Sequence, residues 1–116
     1  MPKRDNCLLI KDMIGCCKNI FEYTNGMNYE IFVASKMTKD AVVRNFEILG
    51  EASRMMGEEI VVTHTEIEWR KMRDFRNLLI HEYFGVNYVL VWEIIEDFLP
   101  NNYDFLKQLL QELRKQ

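Results

Sequence analysis

The sequence predicts an all-α domain, an up-down bundle of four to five helices, and three observations carry that expectation. Apolar residues recur at three- and four-residue steps through most of the 116 residues. Only 5 glycines and 2 prolines punctuate the chain, too few for the many turns of a sandwich or barrel. Ile60-Val61-Val62 is the one strand-like triplet, and it is too short to build a sheet. The length suits a single domain, residues 1–116, with enough chain to bury a core without staples.

Each helix has its own signals. From about Asp5 to Tyr23, the set Leu9, Met13, Cys16, Cys17 and Ile20 marks one apolar stripe, and Asn25-Gly26 stops it because both residues tolerate a left-handed C-cap. Residues 28–35 read as a short helix or an ordered loop. Thr38 then reads as the N-cap of a helix reaching about Met56, with Asp40 in its first turn and Gly57 at its end. A loop holding Ile60-Val61-Val62 follows. Thr65 is expected to cap a fourth helix whose first turn contains Glu66 and Glu68, and which runs to about Tyr83 or Phe84 before Gly85. A fifth helix runs from about Asn87 to Leu99, where Pro100 prevents simple continuation. Asn101 or Asn102 then caps a last helix with Leu106, Leu109, Leu110 and Leu113 on one face.

Composition narrows the function classes. With 48% hydrophobic and 28% charged residues the chain is not of the disordered class. The apolar run Tyr88 to Trp92 is among the longest, far below the roughly 18 residues that span a bilayer, and Lys11-Asp12 interrupt the early apolar triplet before a signal-peptide core forms. A cytoplasmic protein without a membrane partner is expected. Three cysteines, two of them adjacent as Cys16-Cys17, suggest neither a disulfide framework nor a zinc site, but free thiols packed as small apolar side chains. The net charge of −3 argues against a general nucleic-acid coat, so any nucleic-acid role must rest on a local patch.

The informative residues break the apolar pattern. On a helical wheel Trp69, Met72, Phe75, Leu79, Ile80 and Tyr83 share one arc, and Arg76 falls inside it. A guanidinium there needs a carboxylate, a partner chain or a bound anion. Glu47 and Glu51, four apart on the preceding long helix, are its natural partners. That carboxylate pair could suggest metal or acid–base chemistry, but Arg44 and Arg54 beside it favour a salt-bridged face. Arg70, Arg73, Asn77 and His81 line a polar ridge on the other edge of the fourth helix. Arg76 and His81, five apart, diverge by about 140° on a straight helix, so one chain brings them together only if the helix end is distorted or the long Arg side chain bends around. Otherwise they serve a composite site at a helix or subunit junction. Asn45 is a further polar residue within an apolar arc. The seven methionines, Met55 and Met56 among them, read as core or interface filler.

Arg76-Asn77-Leu78-Leu79-Ile80-His81-Glu82-Tyr83 has the spacing R-N-x-x-x-H-x-Y and resembles the signature of the HEPN superfamily, specifically its HepT-like toxins. Gly50-Glu51-Ala52 is similar to the family's G-E-A segment, Trp69 stands where the family has a Trp ahead of the Arg, and Phe84-Gly85-Val86 follows as in many members. The likeness covers about residues 38–99. One departure is Glu68, where the family commonly has Pro, which suggests a fourth helix starting a few residues earlier.

The resemblance implies a homodimer whose two R-x4-H motifs face each other across a cleft, and a metal-independent ribonuclease that needs no cofactor. It implies Arg76 and His81 as catalytic, Asn77 as supporting, and Tyr83 as the residue to which a nucleotidyltransferase antitoxin attaches AMP. Glu51, a natural partner of Arg76, and the basic Arg73 are further supporting candidates from the residue pattern. RNA carries its own 2′-hydroxyl nucleophile, so such a site needs a proton shuttle and a phosphate-gripping cation, which imidazole and guanidinium supply. Arg70, Lys71 and Arg73 add a local positive ramp. The rival expectation is a non-catalytic subunit that presents substrate to, or regulates, a nucleotidyltransferase.

Overall fold

The computed structural model describes residues 5–81 and 85–115. Four long helices carry the structure: α1 (Asn6–Thr24), α3 (Lys36–Met55), α5 (Trp69–His81) and α7 (Leu99–Arg114). Three six-residue helices connect them: α2 (Tyr29–Ala34), α4 (Glu58–Thr63) and α6 (Tyr88–Glu93). Asp5 caps α1 by accepting the Cys7 amide at 2.7 Å. Of Asn25-Gly26, only Gly26 takes the left-handed conformation, at φ 77°. Asn28 caps α2, so the ambiguous stretch before α3 is helical.

The boundaries that differ from expectation have local causes. Ser35, not Thr38, caps α3: its hydroxyl accepts the Thr38 amide, so Thr38 sits in the first turn. The expected loop through Ile60-Val61-Val62 is the helix α4, because burying Ile60 outweighs a weak β-branched preference and Glu58 and Glu59 favour the first turn. α5 begins at Trp69 and not near Thr65. The buried Trp69 donates its indole N–H to the His64 carbonyl, and Glu68 is held by α7, so residues 65–67 form a turn.

That hold comes from Asn102, expected as a cap but found buried inside α7. Its Oδ1 accepts the Glu68 amide at 2.9 Å, and its Nδ2 donates to the Phe98 carbonyl and the Glu68 carboxylate. Nor does Pro100 stop the helix. It occupies the first turn of α7, where no N–H is needed, and the chain enters through a π-helical turn (Ile94–Phe98) in which the Leu99 amide bonds the Ile94 carbonyl.

Long-range contacts set the topology. Asn6, at the start of α1, bonds the Gly57 amide just past α3, while Asn19, late in α1, donates to Asn45 midway along α3. The two helices are therefore antiparallel. α3 and α5 are antiparallel too, since Gly50 packs on Arg76 while Ser53 bonds the Trp69 carbonyl. Phe21 near the end of α1 meets Tyr103 near the start of α7 edge-on, which sends α7 back along α1. The order in space is α7–α1–α3–α5, with α3 in contact with both α1 and α5. Ile10, Met13, Val42, Leu49, Leu106 and Leu109 form the centre of the core. The cysteines are free; burial pushes the Cys16 thiol up to about 11 and Cys17 up to about 12, as befits packed apolar groups. Among the described residues no helix is long and apolar enough to cross a membrane.

At the base of α5, His64 ties the turn to α7: its Nε2 lies 2.9 Å from the Glu112 carboxylate. That hydrogen bond raises the imidazole above its usual value against the opposing effect of partial burial, with smaller help from the Ile60 carbonyl and the charges of Glu112 and Glu66. A pKa raised by folding contributes stability that is fully present below the unfolded value near 6.5 and lost as pH rises through the higher folded value. The melting temperature of the wild type should therefore exceed that of His64→Gln most at pH 6 and below. Thermal melts from pH 5 to 9 should show the gap closing as pH rises; a gap that widened with pH would refute the charged pair.

Candidate functional site

The site is built where α5 crosses α3. Gly50 faces α5 so closely that a Cβ there would collide with the Cβ of Arg76 and come within 2.7 Å of the Met72 carbonyl. Only a residue without a side chain permits that approach. On either side the contact is locked by the Ser53 hydroxyl donating to the Trp69 carbonyl at 2.7 Å, and by Phe46 and Phe75 packed edge-to-face with centroids 5.1 Å apart.

This crossing sets Arg76 beside Glu51. The guanidinium Nη2 lies 3.3 Å from Glu51 Oε2, and Nη1 donates to Asn77 Oδ1 at 2.9 Å. Of the two carboxylates expected as partners, Glu51 takes the role, while Glu47 pairs with Arg44 at 3.7 Å. Glu51 is shared: Arg54 grips it with Nε and Nη2 at 3.2 and 2.5 Å. Those bonds foremost hold the Glu51 carboxyl below its usual value, against partial burial, and the charges of Arg54 and Arg76 act in the same direction. The expected salt-bridged face of α3 is therefore present. The Arg76 side chain is 29% exposed, so its stem packs in the apolar arc while its head reaches solvent.

The head opens into a groove of about 290 Å³ running over α3 between α1 and α5. Leu9 and Asp12 wall one side, Arg76 and Ile80 the other, and Ile48, Glu51 and Met55 lie along the floor. Met55 is 46% exposed, so this apolar surface is only partly covered, whereas Met56 is core. Asn45, the polar residue of the inner face, is satisfied by Asn19 and the Ala41 carbonyl and takes no part in the groove.

The structure thus brings Arg76, Glu51 and Asn77 together. It does not bring His81 to Arg76. α5 is helical through His81, which is exposed in its last turn and points about 140° away from Arg76 on the helix surface. Arg73 is half-buried one turn before Arg76, on the ridge side. Tyr83 and Phe84 lie outside the described residues, while Gly85 is exposed and outside any helix. Among the described residues no group of three His, Cys, Asp or Glu side chains is placed to hold a metal ion. Sequence reasoning placed Arg54 on the salt-bridged face but did not assign the roles of Gly50 and Asn102. For Gly50 a signal exists: an isolated glycine on the inner face of an amphipathic helix marks a close backbone approach.

A family profile described as "Ribonuclease HepT-like" matches residues 13–109 of this chain. The chain belongs to the HepT-like ribonuclease family. Among its relatives, "Putative RNase MJ0127" of Methanocaldococcus jannaschii is 32% identical over 97% of this chain and 93% of its own. "Probable ribonuclease HepT" of Thermococcus cleftensis is 35% identical over 97% of this chain and 99% of its own. No solved structure matches at a significant level. In this HepT-like chain the Gly-Glu pair has a physical meaning. Gly50 admits the backbone of α5, and the next residue receives the arginine that arrives with it.

Gly50→Ala should push α5 off α3 and cost about 1–3 kcal/mol, the usual penalty of overpacking a tight contact. Denaturant melts should show that loss, and RNA cleavage should fall by more than the folded fraction does. Unchanged stability would mean that the helices separate freely and that the close approach is not needed.

Proposed function

We propose that this HepT-like protein is the toxin of a toxin–antitoxin pair, a homodimeric ribonuclease that works without a metal ion and is silenced by a nucleotidyltransferase partner. The observation that carries the reading is the state of Arg76: clamped at its base by the Gly50 crossing, oriented by Glu51, and open at its head to a solvent-facing groove. A core arginine held for stability alone would be closed off by its carboxylate. This one keeps donor capacity for a phosphate.

The chemistry follows from the groups. His81 takes the proton of the 2′-hydroxyl, whose oxygen attacks the adjacent phosphorus. The bond to the 5′-oxygen breaks, that oxygen takes a proton from water as it leaves, and His81 returns its own to solvent, giving a 2′,3′-cyclic phosphate and a 5′-hydroxyl. Arg76 holds the phosphate and stabilises the charge that builds on its free oxygens. General acid–base help of this kind is typically worth about 10²–10⁴-fold. Because Arg76 and His81 diverge on one helix, a second copy docked over the groove with its own α3 and α5 completes the arrangement, and the exposed Met55 joins that two-fold interface. The supporting roles fall to Asn77, Glu51 and Arg73. Tyr83, two residues beyond His81, is the proposed acceptor of AMP, which would add negative charge near the arginines and fill space meant for RNA.

His81→Ala and Arg76→Ala should each lower RNA cleavage by about 10²–10⁴-fold, leaving a small measurable rate, and should end growth arrest with helicity retained. EDTA should leave wild-type cleavage intact, and light scattering should report a dimer. Cleavage that depends on added magnesium would overturn the mechanism. A folded protein that cleaves no RNA, yet binds a nucleotidyltransferase, would instead be the non-catalytic subunit. Co-expression with the partner should raise the intact mass by one or more AMP units, and Tyr83→Phe should prevent it; neutralisation without a mass change would mean inhibition by binding alone.

A further inference from the structure

Beside the Arg76 groove the motif helix has a second concavity, of about 210 Å³, between the end of α3, α4 and the first two turns of α5. Its floor is apolar, made by Met56, Val61 and the edge of the buried Trp69, and its rim carries the guanidiniums of Arg54, Arg70 and Arg73. These cations are not equally engaged. Arg54 is committed to Glu51, and Arg70 reaches Asp74 only at 3.9 Å with both side chains well exposed, a pair of little worth. Arg73 is half-buried, and among the described residues it has no hydrogen-bond or ion-pair partner. Among the described residues, Glu58 is the one carboxylate on the rim.

A half-buried guanidinium without a counter-ion among the described residues, over an apolar floor, fits a group that is anionic on one side and flat or apolar on the other. Position adds to this. Arg70, Arg73, Asn77 and His81 follow one another at steps of three and four along the same ridge of α5, so a strand leaving the cleft at Arg73 meets His81 about 12 Å further along the axis, at 1.5 Å per residue. We infer that this cleft is a subsite for single-stranded RNA flanking the cleaved bond. Arg73 grips a backbone phosphate, Arg70 assists from the rim, and Met56 and Val61 receive the ribose or base of that nucleotide. Arg73 is a positioning residue here, acting on substrate that lies away from the reacting atoms. The inference rests on the ribonuclease reading for its purpose, though not for the binding itself.

The test compares a dinucleotide with a single-stranded 12-mer that contains it. In the wild type the longer substrate should have the higher kcat/KM. Arg73→Gln should reduce that length advantage about tenfold, through KM rather than kcat, Arg73→Lys should restore most of it, and the exposed Arg70→Gln should reduce it more mildly. The salt dependence of log KM for the 12-mer should become shallower by roughly 0.7 per arginine removed. Equal loss on both substrates, or no loss on the 12-mer, overturns the subsite. Fluorescence anisotropy with a 2′-O-methyl 12-mer, which lacks the nucleophile, separates the two claims. Weaker binding by Arg73→Gln in a protein that cleaves no RNA would leave the subsite standing and the ribonuclease reading fallen. Identical binding by Arg73→Gln and the wild type, with cleavage intact, would do the reverse.

Discussion

The close approach of α5 to α3 at Gly50 is the constraint on which the rest of the site depends. Helix axes normally stay apart by the width of the side chains between them. Here one inner-face position has no side chain, and the Cβ of Arg76 and the Met72 carbonyl fill the space instead. Arg76 is thereby fixed at its base by backbone packing, while its long side chain runs out past Glu51. The Ser53–Trp69 bond and the Phe46–Phe75 contact hold the same crossing from either side. Further down, Asn102 and His64 anchor the start of α5 to α7, so the motif helix is pinned at its base and along its inner face. On its outer ridge Arg70, Asn77 and His81 stay exposed.

The electrostatics follow from that frame. A chain of net charge −3 has no general attraction for RNA, yet four arginines gather where α3 and α5 meet. Glu51 moderates them. It receives Arg54 through two hydrogen bonds and Arg76 through one longer contact, so Arg76 is oriented without being consumed. A phosphate offers the forked guanidinium a better match than one shared carboxylate oxygen does, and exchange between the two requires little movement of the arginine stem. In the proposed mechanism Glu51 is a rest position for the cation.

Much of this was legible in the sequence because periodicity reports burial. The long helices and the anomalous place of Arg76 all follow from apolar spacing, and Glu51 was one of two partners that spacing allowed. The misread boundaries have a common origin: they are decided by contacts between elements distant in sequence. Nothing near Thr65 shows that Asn102, 34 residues after Glu68, will take the Glu68 amide and set the start of α5. Pro100 looked like a stop because a π turn upstream cannot be seen in composition. Ile60-Val61-Val62 is helical because Ile60 finds a core to enter. The site divides in the same way. Arg76, Asn77 and His81 announce themselves through a motif, whereas the subsite around Arg73 depends on α4 folding back beside α5.

The central claim is that Glu51 acts through Arg76, presenting it to substrate, and the most direct measurement is a double-mutant cycle on RNA cleavage with Glu51→Gln and Arg76→Gln. Coupling between residues that share one function appears as non-additivity. The account predicts that Glu51→Gln slows cleavage in the presence of Arg76 and has no further effect once Arg76 is replaced. Independent, additive losses would contradict it, for they would mean that Glu51 and Arg76 serve the reaction separately.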